Sequence, residues 1–165
     1  MTASDTIQAK IFINTDAFFQ LLKQWKIAGN RIVFTNGCFD LVHRGHIDSL
    51  CKASEFGDKV IVGLNSDASV RALKGNDRPL IDQQSRAFLL ASLLMVDAVV
   101  LFDEETPYDL IKTIMPDVLV KGNEYQIHEI AGADIVIENG GKVVRLDLTE
   151  GVSTSGLIQK IRNSI

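Results

Sequence analysis

Five short apolar runs punctuate the chain: Arg31-Ile32-Val33-Phe34, Lys59-Val60-Ile61-Val62-Gly63-Leu64, Ala98-Val99-Val100-Leu101-Phe102, Val118-Leu119-Val120 and Lys142-Val143-Val144-Arg145-Leu146. Near-continuous runs of this kind are what strands covered on both faces show, so they predict a parallel sheet. Between them the apolar positions take helical spacing. Phe18, Leu21, Leu22 and Trp25 fall at i, i+3, i+4 and i+7, an amphipathic helix that Thr15 or Asp16 can cap and Gly29 can end. Ile47, Leu50 and Cys51 mark a second helix, and Asn65-Ser66-Asp67 can cap a third over about 68–73. Asp82 opens a fourth that reaches about residue 95, with Arg86, Leu89, Leu90 and Leu93 on one stripe. Pro107 suits the first turn of a helix ending at Ile114, 133–139 reads as a short helix before Gly140-Gly141, and the last helix covers about 157–162.

Strands alternating with helices in this way predict a Rossmann-like, three-layer α/β/α fold with a five-stranded parallel sheet. Residues 1–14 are polar and mixed and are expected to be loosely ordered, so 1–30 reads as an N-terminal extension and 31–165 as the domain. The extension's helix suits covering one side of the sheet. Its aromatics also suit a subunit contact in a homo-oligomer.

Composition narrows the function classes. At 165 residues, 46% hydrophobic and 23% charged, the chain fits one domain with a real core. A net charge of -4 argues against a nucleic-acid surface, so any phosphate-binding cations must be local. Cys38 and Cys51 make no disulfide framework and are expected to be reduced. The first ten residues lack a signal-peptide core, and no run approaches the roughly 18 apolar residues of a membrane span. A cytoplasmic protein without membrane attachment is expected.

The chemistry concentrates in Thr35-Asn36-Gly37-Cys38-Phe39-Asp40-Leu41-Val42-His43-Arg44-Gly45-His46, which leaves the first strand and enters a helix. Ligands of open α/β sheets bind at such carboxyl ends, and the N–H groups of a starting helix favour phosphate. Gly37 and Gly45 let backbone approach a ligand closely. His43 and His46 can turn two imidazole N–H groups toward one phosphorus, where a nucleotidyl transfer builds negative charge. A zinc site would need more ligands than His-x-x-His supplies, and His128 stands isolated. Cys38 as a nucleophile is unnecessary for direct transfer.

This block resembles the His-x-Gly-His signature of the cytidylyltransferase-like nucleotidyltransferases. Within them, the chain from about Arg31 onward is similar to the adenylyltransferase domain of ADP-heptose synthase. The matching blocks are Val62-Gly63-Leu64-Asn65-Ser66-Asp67-Ala68-Ser69-Val70, Leu73-Lys74-Gly75 with Arg78-Pro79, Leu119-Val120-Lys121-Gly122 and Glu150-Gly151-Val152-Ser153-Thr154-Ser155. The family often has Asp where this chain has Glu124.

The resemblance implies AMP transfer from ATP to D-glycero-β-D-manno-heptose 1-phosphate, giving ADP-heptose and pyrophosphate for the lipopolysaccharide core. His43, His46, Lys74 and Arg86 would be catalytic. Thr35, Asn36, Gly37, Phe39, Asp40, Gly45, Lys121, Gly122, Val152, Ser153, Thr154 and Ser155 would hold the nucleotide, the last three beside the β- and γ-phosphates. Asn65, Asp67 and Arg78 would meet the sugar phosphate, although capping also explains Asp67. Read from the residues alone, Lys74 and Arg78 also fit a solvated turn. Arg86, a cation opposing its helix dipole, needs an anionic partner, which is either phosphate or an acidic side chain. Mg²⁺ would come with ATP, with no protein side chain assigned to hold it. The heptose enzyme is often fused to a sugar kinase, so a separate heptose kinase is expected to supply the substrate here. Two other functions share these features: a CTP-dependent cytidylyltransferase acting on glycerol 3-phosphate or a similar alcohol phosphate, and a non-catalytic nucleotide-binding regulator.

Overall fold

The computed structural model describes residues 1–13, 15–147, 151 and 153–164. The elements run α1 (Ala3–Gln8), β1 (Ile11–Phe12), α2 (Thr15–Ile27), β2 (Ile32–Gly37), α3 (Arg44–Ser54), β3 (Lys59–Asn65), α4 (Asp67–Lys74) and α5 (Gln83–Ala91). They continue with β4 (Ala98–Phe102), α6 (Tyr108–Ile114), β5 (Val118–Gly122), a 3₁₀ turn (Ile127–Glu129), α7 (Ala133–Glu138), β6 (Lys142–Leu146) and α8 (Thr154–Arg162).

The sheet has six parallel strands in the order β1-β4-β3-β2-β5-β6, not five. The extra strand comes from the stretch expected to be loose. Thr2 and Asp5 form a capping box that opens α1, and Ile11 and Phe12 then pair with Val99 and Val100 at the sheet edge. Lys10 fixes the join, its Nζ donating to the Val96 carbonyl at 2.7 Å. A two-residue strand leaves too short a run for periodicity to register.

Side chains alternate across the sheet, as period 2 requires. Val33, Val60, Val62 and Leu64 face α3 and α5, joining Leu50, Ala87 and Leu90 in one core. Ile32, Phe34, Ile61 and Leu119 face the other way, against Phe18 and Leu22 of α2, Ile111 and Ile114 of α6 and Val136 of α7. The α5 stripe differs in one member from its expected form: Leu90 is buried but Leu89 is 46% exposed. The helix also stops at Ala91 rather than near 95, because the chain must turn there for Asp97 to reach β3, its N–H donating to the Val60 carbonyl at 3.0 Å.

From β2 the chain steps to β3 and β4 on one side, then crosses to β5 and β6 on the other. The reversal point lies between β2 and β5, and a crevice opens outside their carboxyl ends. No helix among the described residues is long and apolar enough to cross a membrane.

Candidate active site

A cleft of about 710 Å³ opens at that reversal point. Its floor is the carboxyl end of β2 (Thr35, Asn36, Gly37) and of β5 (Lys121, Gly122), and one wall is the start of α3 with His43, Gly45 and His46. Ser153, Thr154 and Ser155 at the start of α8 close it, while Lys74 at the end of α4 and Arg78 in the turn after it reach it from another side. Two helix N-termini therefore face one space, an arrangement that attracts anions.

The histidines are set by the helix start itself. Their rings stack at 3.8 Å between centroids, 23° from parallel. The His43 backbone N–H donates to His46 Nδ1 at 3.3 Å, so the neutral His46 ring carries its proton on Nε2. Burial lowers the His46 pKa to about 4, the neighbouring His43 adding to the effect; burial lowers that of His43 too. Both rings are neutral at pH 7, each with one N–H to offer. Among the described residues, His43 Nδ1 is buried without a hydrogen-bond partner, which suits a bound ligand.

Phe39 shapes the loop before them. Its backbone is left-handed, with φ of 46°, and its ring lies 5.1 Å from that of His46. Gly37 leaves room for this ring: a Cβ there would stand 3.0 Å from it and would require the ring to shift. At β5, a Cβ on Gly122 would collide with the Glu124 carboxylate, which folds back over the strand end. Lys121 donates to the Asn36 side-chain and main-chain oxygens at 2.9 and 3.3 Å, tying β5 to β2 across the reversal point. Burial lowers the Lys121 pKa, against the raising pull of Glu124.

The remaining sequence candidates divide. Asp40, 2% exposed, borders the cleft with its oxygens engaged by protein donors: it accepts from Arg78 Nε and from the N–H groups of Leu80 and Ile81, at 2.7 and 3.0 Å for the last two. Burial raises its pKa, but those donors outweigh burial and the net shift is downward. Asp67 neither caps α4 nor lines the cleft, because Ser66 is the cap and the Asp67 carboxylate pairs with Arg86 at 2.7 Å. Arg86, 1% exposed, is likewise absent from the cleft lining. The Asp67 carboxylate supplies the anionic partner that a buried cation in this position needs. Asn65 borders the cleft, with its amide donating to Ser69 Oγ at 2.9 Å. Ser153 caps α8 by accepting from the Gly156 N–H at 3.0 Å, and Thr154 Oγ1 donates to the Leu41 carbonyl at 3.4 Å. Val152 lies outside the described residues.

Burial raises the Cys38 pKa against the pull of Lys74, Arg86, Arg78 and Lys121, so it stays a thiol at the cleft edge. The cleft also takes Glu105, Thr106, Tyr125 and Glu129, none of which the sequence flagged as site residues. Each stands a few residues beyond the end of β4 or β5, and position past a strand's carboxyl end was the signal available.

Residues 34–160 match the cytidylyltransferase-like family model. The bifunctional protein HldE of Azorhizobium caulinodans is 50% identical over 98% of this chain and 34% of its own length. That of Wolinella succinogenes is 52% identical over 92% and 31%, and that of a Nitratiruptor species 56% over 82% and 28%. The chain thus spans about a third of the length of these curated relatives. Among solved structures, the lipopolysaccharide core biosynthesis protein from Thermoplasma volcanium superposes with a TM-score of 0.61 at 26% identity, covering 74% of this chain and 100% of that one. A pantoate-beta-alanine ligase from Francisella tularensis, complexed with beta-gamma ATP and beta-alanine, gives 0.62 at 16% identity over 93% and 76%, a likeness of fold. With its signature loop, reversal-point cleft and family match over 34–160, the chain belongs to the cytidylyltransferase-like family.

Proposed function

We propose that this chain transfers AMP from ATP to D-glycero-β-D-manno-heptose 1-phosphate, releasing pyrophosphate and forming ADP-heptose. The stacked His43–His46 pair, neutral and proton-bearing at the mouth of α3, carries the chemical reading. Half-identity to HldE proteins along nearly the whole chain supports the choice of substrates.

A phosphate oxygen of the sugar phosphate attacks the α-phosphorus in line, and the bond from that phosphorus to the bridging oxygen of pyrophosphate breaks. His43 and His46 donate to the α-phosphate oxygens as charge spreads there, and Lys74 balances the triphosphate. Ser153, Thr154 and Ser155 receive the leaving pyrophosphate with their hydroxyls and the α8 N-terminus. Thr35, Asn36, Gly37, Phe39, Gly45, Lys121 and Gly122 hold the nucleotide along the sheet edge, while Asn65 and Arg78 border the acceptor.

Asp40 has both oxygens engaged, and no three His, Cys, Asp or Glu side chains gather as a metal site among the described residues. The cleft's donors fit phosphate oxygens instead. Mg²⁺ would come with ATP and, when bound, would offset charge on the triphosphate. A kinase acting on the anomeric end of the sugar must supply the acceptor.

The test is pyrophosphate release by the purified chain with Mg²⁺, crossing ATP, CTP, GTP and UTP against heptose 1-phosphate and glycerol 3-phosphate. Release with ATP and heptose 1-phosphate is expected. Release confined to CTP with the alcohol phosphate, or nucleotide binding without release, would replace this reading.

A further inference from the structure

Resting on the adenylyltransferase reading, we propose that Arg86 is a positioning residue. It sets where His43, His46 and Lys74 stand by holding the backbone beneath them, without touching the nucleotide.

Arg86 is the largest fully buried side chain and sits in the first turn of α5, where a cation opposes the helix dipole. Burying a charge there requires that its donors be satisfied. Four of its five N–H groups are: Nε donates to the Ile81 carbonyl at 2.9 Å, Nη1 to the carbonyls of Cys38 at 2.6 Å and Asn65 at 2.8 Å, and Nη2 to Asp67 Oδ1 at 2.7 Å. These acceptors belong to four separate segments: the entry to α5, the signature loop, the end of β3 and the start of α4. Asp67 and Lys74 bound the same helix.

Asp40 closes the circuit. It lies two residues beyond Cys38 and accepts from the Ile81 N–H at 3.0 Å, so Ile81 is gripped through its carbonyl by Arg86 and through its N–H by Asp40. The loop 38–46 and the turn 75–81 are thereby locked to each other. Phe39, between the two anchor points, rests its ring against His46. A residue that binds phosphate keeps its donors free for it, whereas Arg86 commits four of its five to three backbone carbonyls and the Asp67 carboxylate. Only a planar guanidinium reaches all four acceptors at once; a lysine ammonium does not.

The experiment compares the wild-type chain with Arg86→Lys, Arg86→Gln and the milder Asp67→Asn, which leaves the three carbonyl contacts in place. Kinetics, ATP titration and the imidazole ¹H–¹⁵N spectrum are recorded for each. The chain has three histidines, and exposed His128 serves as the internal control.

The expected result is a kcat loss of about 100-fold in the Arg86 variants, as misplacement of catalytic groups by about 1 Å produces. A smaller kcat loss in Asp67→Asn, ATP affinity within about threefold, and His43 and His46 signals that move while His128 stays would complete it. Loss of ATP affinity with kcat preserved would make Arg86 a phosphate ligand and overturn the proposal. Unmoved His43 and His46 signals would overturn it as well. Should Arg86→Gln fail to fold, Asp67→Asn carries the same readouts. The spectrum is readable even if the wild-type chain releases no pyrophosphate, so failure of this proposal and failure of the adenylyltransferase reading are separate results.

Discussion

The two walls of the cleft are built differently. The signature wall grows from β2, whose Ile32, Val33 and Phe34 are fully buried, and it enters α3, which buries Leu50 and Ala53. Its loop is gripped by Arg86 at Cys38 and, through Asp40, by the turn after α4. Among the described residues α8 buries none of its own, and a 3.4 Å hydrogen bond from Thr154 to the Leu41 carbonyl connects it to the first wall. The difference separates two tasks. Groups that stabilise the transition state must be fixed in advance, because reorganisation during reaction costs catalytic power. Groups that receive a departing pyrophosphate can stand on a helix with fewer anchors.

Breaking the fixed wall has the larger consequences. His46→Ala is expected to lower kcat about 10²–10³-fold, the loss usual for one transition-state donor, with melting temperature little changed. Near-normal turnover would remove His46 from the mechanism and erase the contrast between the walls.

Asp40→Asn attacks the same wall one step from the chemistry. Turnover is expected to fall about tenfold and stability by about 1–3 kcal/mol, the range for unsatisfying buried hydrogen-bond partners. The pH dependence supplies a check. The folded-state pKa of Asp40 is lowered, so its contribution is complete above the ordinary carboxylate range and is lost as pH falls through the lowered value. Asp40→Asn should therefore flatten the acid limb of the stability curve; an unchanged limb would show that Asp40 is not the group that matters there.

On the opposite wall, Thr154→Val removes the bridging hydroxyl. A kcat loss of only a few-fold is expected, from roughly 1 kcal/mol for a partly exposed hydrogen bond. A loss matching that of His46→Ala would mean that the α8 wall is as tightly built as the other.

The smallest effect is a proton count. Burial holds both imidazole pKa values below the ordinary one, and a phosphate beside them favours their charged forms. ATP binding near pH 6 should take up a fraction of a proton, and affinity should strengthen as pH falls from 7 toward 5. Calorimetry in two buffers of different ionisation enthalpy measures this, and zero uptake would place the phosphates away from the histidine wall.

The site was legible where its residues are contiguous. Thr35 to His46 lie in one strand–loop–helix stretch, so their juxtaposition is local and the spacing alone brings two imidazoles together. The roles of Arg86, Asp67 and Asp40 were not legible in that way. From the chain alone Arg86 needs some anion, but only packing decides between phosphate and the carboxylate nineteen positions earlier. Ser66 rather than Asp67 capping α4 is a choice between adjacent equals that the Arg86 pair resolves. β1 leaves no mark in the sequence pattern because two residues carry no period, and its strand character exists only against β4.

By itself, then, the sequence determined the alternation of buried strands and amphipathic helices, and with it the parallel sheet and the signature at a strand's carboxyl end. Those features depend on local spacing and burial pattern, which each segment carries within itself. The tertiary structure decided the strand order, which brings Lys121 to Asn36 and places Tyr125 and Glu105 on one cleft, and it decided which charges face that cleft. Such assignments depend on contacts between segments far apart in the chain, and for a buried cation the partner that packing delivers, not the residue type, determines whether it binds substrate or backbone.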